Sequence, residues 1–326
     1  MRLSYLRFLP LLAGLAAAGP LLAQPAPTAN YPSKPVVVII PFTPGSVAET
    51  EGRVHFAEVS RSLRQQFLFD FKPGGASTIG MAHVARQPAD GYTLLLVSAS
   101  YSLIPLRTLE LPFDKVNAFA PISLVSKRWG VILVHPSMPS TAAEFTAYAK
   151  ANPGKVNLAT NGVGSQQHLT GAWMEDLLGI KLTFVHYKSA AQVIPDLLAG
   201  RVQVNPITLS SALPHLRSGK LKTLGMANHV RNPAFPDMPT LVEQGWKDFE
   251  YSSWQGLVAP AKTPPAIINL LSAEMAKAVK SPEVVKRLAS ETQLIGSTPE
   301  EFARHVVTET ERWRKMTRES GITLDD

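Results

Sequence analysis

Residues 156–187 read VNLATNGVGSQQHLTGAWMEDLLGIKLTFVHY, and this stretch decides the fold class. Val156 to Thr160 is a short apolar run with strand character, Asn161 to Ser165 supplies turn chemistry with two glycines, and Gln166 to Leu178 has the length of a helix. Thr183 to Tyr187 is β-branched and aromatic again, so the unit is strand, loop, helix, strand. A crossover of that kind joins parallel strands, which makes the chain α/β.

The alternation continues in both directions. Upstream, Val36 to Ile40 is a strand stopped by Pro41, Glu49 to Gln66 a helix, Phe67 to Phe71 a strand, Thr78 to Arg86 a helix and Tyr92 to Ser98 a buried strand. Val131 to His135 and Thr141 to Lys150 begin a second set, which Ala191 to Ala199, Val202 to Ile207 and Leu221 to Ala227 complete. The pattern predicts mostly parallel sheets in two lobes, residues 24–128 with 250–326 as the first and residues 129–249 as the second. Their junctions fall near Lys127 to Trp129 and Glu250 to Trp254, leaving a cleft where strand ends meet helix starts. From Pro264 onward the pattern is helical, over Ala266 to Val279, Pro282 to Ser290 and Pro299 to Glu319, and this tail is expected to pack back on the first lobe.

Residues 1–23 have a basic start at Arg2 and Arg7, an apolar run from Leu9 to Leu22 and a small residue, Ala23, before Gln24. That is the layout of a cleaved secretory signal peptide, so the expected location is the periplasm. No later stretch has the length and apolar character of a membrane span. The absence of cysteine means that neither a disulfide nor a lipid-bearing cysteine supports the exported chain, and the core must hold it alone. A content of 45% hydrophobic residues is enough for that core.

Most chemical motifs fail. Gly75-Ala-Ser-Thr-Ile-Gly80 has phosphate-loop glycine spacing, but Met81 and Ala82 stand where the cation and the hydroxyl belong. The histidines form no metal-binding pair on a helix face, no Gly-x-Ser-x-Gly elbow occurs, and Lys and Arg are scattered rather than gathered in a stripe. The reading is therefore of a protein that is not an enzyme, with no metal, no cofactor and no nucleic-acid partner, acting as a monomer. Two loops suit anions instead. Asn161 to His168 and Pro41 to Ser46 each follow a strand and open a helix, so backbone amides at the positive helix end can receive a carboxylate.

Several segments together carry a resemblance: Tyr31-Pro-Ser-Lys-Pro35, Pro41-Phe-Thr-Pro-Gly45, Lys72-Pro-Gly-Gly75, Asp90-Gly-Tyr-Thr-Leu-Leu-Leu96, Phe119-Ala-Pro-Ile-Ser123 and Ala149-Lys-Ala-Asn-Pro-Gly-Lys155. Val185-His-Tyr-Lys188 and Pro236-Asp-Met-Pro-Thr240 extend them along nearly the whole chain. In this order they resemble the tripartite tricarboxylate transporter substrate-binding family, the Bug receptors. The resemblance implies a two-lobed periplasmic binding protein fold, type II-like, that closes on a small carboxylate in the cleft between its lobes and delivers it to a permease of two integral membrane subunits. An exported sensor that reports the same anion to a membrane signalling partner is the alternative.

The resemblance also implies where the ligand sits. It points to Phe42, Gly45, Ser46 and Val47 in the first loop, Ser98 to Ser100 after the third strand, Asn161, Gly164, Ser165 and Gln166 in the glycine loop, and Tyr187, Lys188 and Ser189. Departures bear on the ligand. Val47 replaces a polar position, and Pro206-Ile207-Thr208 replaces a Phe-Asp-Asn run and so removes a carboxylate from the cleft wall. At the lobe junction stand Arg128 and Trp129, whose guanidinium and ring would suit the distal carboxylate and flat body of an aromatic diacid such as terephthalate.

Overall fold

The computed structural model describes residues 30–187 and 190–324. The expected signal peptide and the candidate residues Lys188 and Ser189 lie outside the described residues. The chain enters on β1 (Val36–Ile40), buried at every position but Val37, then α1 (Val47–Leu63), β2 (Phe67–Phe71), α2 (Thr78–Ala85), β3 (Thr93–Ser98) and the long β4 (Phe119–Arg128). It crosses over to β5 (Gly130–Val134), α3 (Ala142–Ala151), β6 (Val156–Thr160), α4 (Gln166–Leu178), β7 (Leu182–His186), α5 (Ala190–Leu198), β8 (Val204–Thr208), α6 (Leu209–Arg217) and β9 (Lys222–Met226). It returns through β10 (Trp254–Pro260) to α7 (Pro265–Ala278), α8 (Pro282–Leu288), β11 (Thr292–Leu294) and α9 (Pro299–Ser320).

Among the described residues the strands form two sheets, one of six strands in the order β11-β4-β10-β3-β1-β2 and one of five in the order β7-β6-β8-β5-β9. Neither is mostly parallel, contrary to the expectation from the βαβ pattern. β1 runs parallel to β2 and β3, and β6 to β7 and β8, but β10 is antiparallel to β3 and β4, and β5 is antiparallel to β8 and β9. The reason is the double crossing. Strands that carry the chain from one sheet to the other and back must enter each sheet in opposite senses, and alternation of residue types does not record strand direction. The two α/β lobes are thus built on mixed sheets.

Local chemistry sets the helix starts. Ser46, Thr141, Ser165, Ser281 and Thr298 each cap a helix by accepting the amide three residues on. Thr298 and Glu301 complete a reciprocal capping box, with Glu301 Oε2 accepting the Thr298 amide at 2.9 Å. No helix among the described residues is long and apolar enough to cross a membrane.

The two crossings touch. Arg128 N–H donates to the Ser253 carbonyl at 2.7 Å, Gly130 N–H to Asn228 Oδ1 at 2.8 Å, and Tyr251 N–H to the Ala227 carbonyl at 2.8 Å. The tail corrects a second expectation. α7 and β4 pack together on the first sheet, but α9 reaches both lobes: Thr310 Oγ1 donates to the Ser102 carbonyl at 2.9 Å in the first, while Trp313 and Met316 join the core around Trp173 and Met174 in the second. The buried residues Phe302, Glu309, Trp313 and Met316 share one face of the last helix, and periodicity alone assigns that face no partner.

Candidate functional site

A cavity of about 800 Å³ lies between the lobes. From the first lobe it receives Phe42 and Ser46 before α1, Ser98 and Ser100 after β3, and the loop Pro73 to Ser77. From the second it receives Gly164, Ser165 and Gln166 at the start of α4, and Trp313 and Leu324 close one side. Among the described residues no carboxylate lines it. Two helix N-termini face this one space, an arrangement that favours an anion.

Not every amide in these loops is offered to the cleft. Gly45 N–H donates to Glu49 Oε2 at 2.7 Å, and Glu49 in turn binds Arg53, so the first loop is closed on its own helix. Gly164 N–H donates to His168 Nδ1 at 3.2 Å. Burial, helped by neighbouring His186, lowers the pKa of His168 to about 4, which keeps the ring neutral and able to accept that bond near neutral pH. The amides left without a carbonyl four residues back are those at the first helical positions, Val47 and Ala48 in α1 and Gln166 and Gln167 in α4. The Ser98 and Ser100 hydroxyls lie 3.2 Å apart at the third edge, and Gln166 Nε2 donates to the Ser252 carbonyl at 2.9 Å, tying the second-lobe loop to the return crossing.

The structure gathers Phe42, Ser46, Ser98, Ser100, Gly164, Ser165 and Gln166 around this cavity, and Val47 lines a smaller chamber beside it. Asn161 is exposed at the start of its loop, and Tyr187, Ile207 and Thr208 line neither space. Tyr187 donates its hydroxyl to Asp196 Oδ2 at 2.8 Å and packs with Ile207 against the second-lobe core, while Thr208 Oγ1 sits 3.0 Å from Ser211 Oγ.

Arg128 and Trp129 need correction. Trp129 is 3% exposed, packs among Val131, Leu133, Val193 and Leu197, and donates Nε1–H to the Ala289 carbonyl at 3.3 Å, so its ring offers no stacking face to the cleft. Arg128 does reach the smaller chamber, but its Nη2 lies 2.7 Å from the buried Glu51 carboxylate. Its charge is already matched. A strand alternates faces, so adjacent residues at a junction point opposite ways and could not both meet one ligand.

Sequence reasoning missed the Pro73 to Ser77 loop. Gly74 and Gly75 have φ of 116° and 55°, and Ala76 and Ser77 follow at 49° and 79°, a run of left-handed backbone that folds the segment over the cavity. The paired glycines Gly74 and Gly75 are the local signal for such a turn. Trp313, Leu324, Arg107 and Ser253 come from distant parts of the chain and carry no local signal.

The glycine loop supports a test. Gly164 has φ of 69°, and a Cβ there would stand 2.9 Å from the Thr323 carbonyl oxygen and 3.4 Å from Leu324 Cα. In Gly164→Val the left-handed backbone alone costs about 1–3 kcal/mol, and relief requires displacing either the loop or the tail that walls the cavity. Ligand affinity should fall at least tenfold, about 1.4 kcal/mol, in a variant whose circular dichroism remains native. Calorimetry giving wild-type affinity would remove this loop from the site.

A pair of α/β lobes on crossing strands, with helix N-termini and hydroxyls directed into the space between them, defines a solute-binding receptor. The chain belongs to the tripartite tricarboxylate transporter receptors: the model of the "Tripartite tricarboxylate transporter family receptor" matches residues 52–322. Among curated proteins it is 32% identical over 315 residues to Protein BugT of Bordetella pertussis, across 95% of this chain and 96% of BugT. Among solved structures it is similar to a TctC solute-binding protein from Polaromonas, with a TM-score of 0.78 and 27% identity over 89% of this chain and 99% of that one. It is also similar to R. palustris Rpa4515 with adipate, with a TM-score of 0.71 and 27% identity over 90% of this chain and 99% of that one.

Proposed function

We propose that the protein is exported to the periplasm, captures a small organic carboxylate between its lobes and hands it to a membrane permease. The observation that carries this reading is the cavity of about 800 Å³ between the lobes, into which α1 and α4 both open. A carboxylate there would take amide hydrogens from the first turns of both helices, so that the same anion that binds also draws the lobes together. Such charge-assisted bonds in a desolvated cleft are about twice as strong as neutral ones. The adipate held by Rpa4515, a protein of similar fold, supports the ligand class.

Thermal-shift measurements on the mature protein with mono-, di- and tricarboxylates, and with amines and alcohols of matched length, provide the test. An acid present at a hundredfold excess over its Kd should stabilise the protein by about 2.7 kcal/mol. Stabilisation by amines in place of acids, or by none of the acids, would defeat the proposal.

A further inference from the structure

The chamber beside the main cavity has a volume of about 190 Å³ and adjoins it, with Phe42, Ser46, Ser98 and Ser253 lining both. Its far end is made by Glu51, Arg128 and Gln255. Glu51 is 1% exposed, receives Arg128 Nη2 at 2.7 Å and accepts the Ser126 hydroxyl at 3.2 Å. The charges of acid and guanidinium therefore cancel within the wall. Three polar atoms remain. Gln255, 7% exposed, has a buried Oε1 with no hydrogen-bond partner, Arg128 Nε is buried and equally unpartnered, and Glu51 Oε1 meets the guanidinium as an ion pair without a hydrogen bond. Buried polar atoms in a folded chain are almost always satisfied, and a group of them left open beside a ligand-sized space marks a place that a ligand completes.

We propose that this chamber receives the end of the ligand remote from its carboxylate, and that it selects a neutral group that both donates and accepts hydrogen bonds, a primary amide or a hydroxyl. The inference rests on the carboxylate-receptor reading and narrows it. The requirement is set by the open atoms: Gln255 Oε1 and Glu51 Oε1 need donors and Arg128 Nε needs an acceptor. An alkyl end would leave all three unsatisfied. A second carboxylate would bring an uncompensated charge into a buried space whose guanidinium is already neutralised, and could offer nothing to Gln255 Oε1. The chain thus discriminates against simple diacids because an acid of its own has taken the counter-charge.

Calorimetric titration of the wild-type protein with matched sets tests this: butyrate, succinate and succinamate, then hexanoate, adipate and adipamate. In the set whose length spans the two spaces, the monoamide should bind at least about tenfold more tightly than both the diacid and the alkyl acid, the equivalent of one buried hydrogen-bond mismatch. In Gln255→Leu, and in Gln255→Met as a second variant of similar bulk, that preference should shrink to about threefold or less while the alkyl acid binds as before. A diacid that binds as well as its monoamide in every set overturns the proposal, as does a preference that survives both substitutions. Failure of all six acids would overturn the receptor reading itself.

Discussion

Glu250→Ala should destabilise the protein by about 3–5 kcal/mol, the cost of removing one member of a buried ion pair. Glu250 lies on the return crossing and is 8% exposed; its carboxylate receives Lys127 Nζ at 2.8 and 3.1 Å, the Ser252 hydroxyl at 3.0 Å, and has His229 Nε2 at 3.5 Å. Lys127 stands on β4 at the outgoing crossing, so the pair pins the two inter-lobe segments together. Removing the acid leaves the ammonium 14% exposed with no counter-charge. Replacing both residues by apolar groups should cost much less than either single change, which a double-mutant cycle in urea would show.

The same residue gives a pH dependence. Burial alone would raise the Glu250 pKa, but the His229 hydrogen bond and the Lys127 charge outweigh it and hold the carboxyl well below the usual range. A depressed folded-state value stabilises the protein above the ordinary glutamate pKa of about 4.3, and the contribution is lost as pH falls from there toward the folded value. Stability of the wild type should therefore drop through the acid range more steeply than that of Glu250→Gln. Parallel curves for the two proteins would show that the pair contributes nothing to acid sensitivity.

Gly130→Ala should be the most disruptive small change at the hinge. An added Cβ would stand 1.9 Å from the Tyr251 carbonyl oxygen and 3.0 Å from its carbonyl carbon, both backbone atoms that no rotamer change can move. The two crossings would have to separate where Arg128 and Ser253, Gly130 and Asn228, and Tyr251 and Ala227 hydrogen-bond. Overpacking of this kind costs about 1–3 kcal/mol, and more where backbone must yield. Because the hinge also sets how the lobes meet, carboxylate affinity should fall together with the unfolding midpoint in urea. A variant with unchanged midpoint and affinity would show that the crossings have slack the structure does not suggest.

Local elements were legible where local chemistry decides them. β1, β6, α4 and the ends of α9 follow from β-branched runs, glycine loops and capping residues such as Ser165 and Thr298, each acting within a few residues. The anion-suited loops were legible for the same reason, since a glycine turn before a helix is a feature of contiguous sequence. β4 and α6 were missed: Pro121 interrupts the first as a strand pattern, and Pro214 the second as a helix pattern, yet edge-to-edge pairing with β10 and packing on β8 override those breaks.

What the sequence by itself determined is thus the class, an α/β chain with an expected leader and two candidate carboxylate loops, together with the family its scattered segments resemble. Tertiary structure decided the rest. It assigned α9 to both lobes, put Trp129 in a core, brought Glu51 from α1 against Arg128 from β4, and closed the cavity with Trp313 and Leu324. The physical reason is the range of the interaction. Turn and capping chemistry is written within a few residues, but the neutralisation of Arg128 depends on an acid that only the packing of a helix on a sheet carries to it, and one-dimensional order holds no record of that distance.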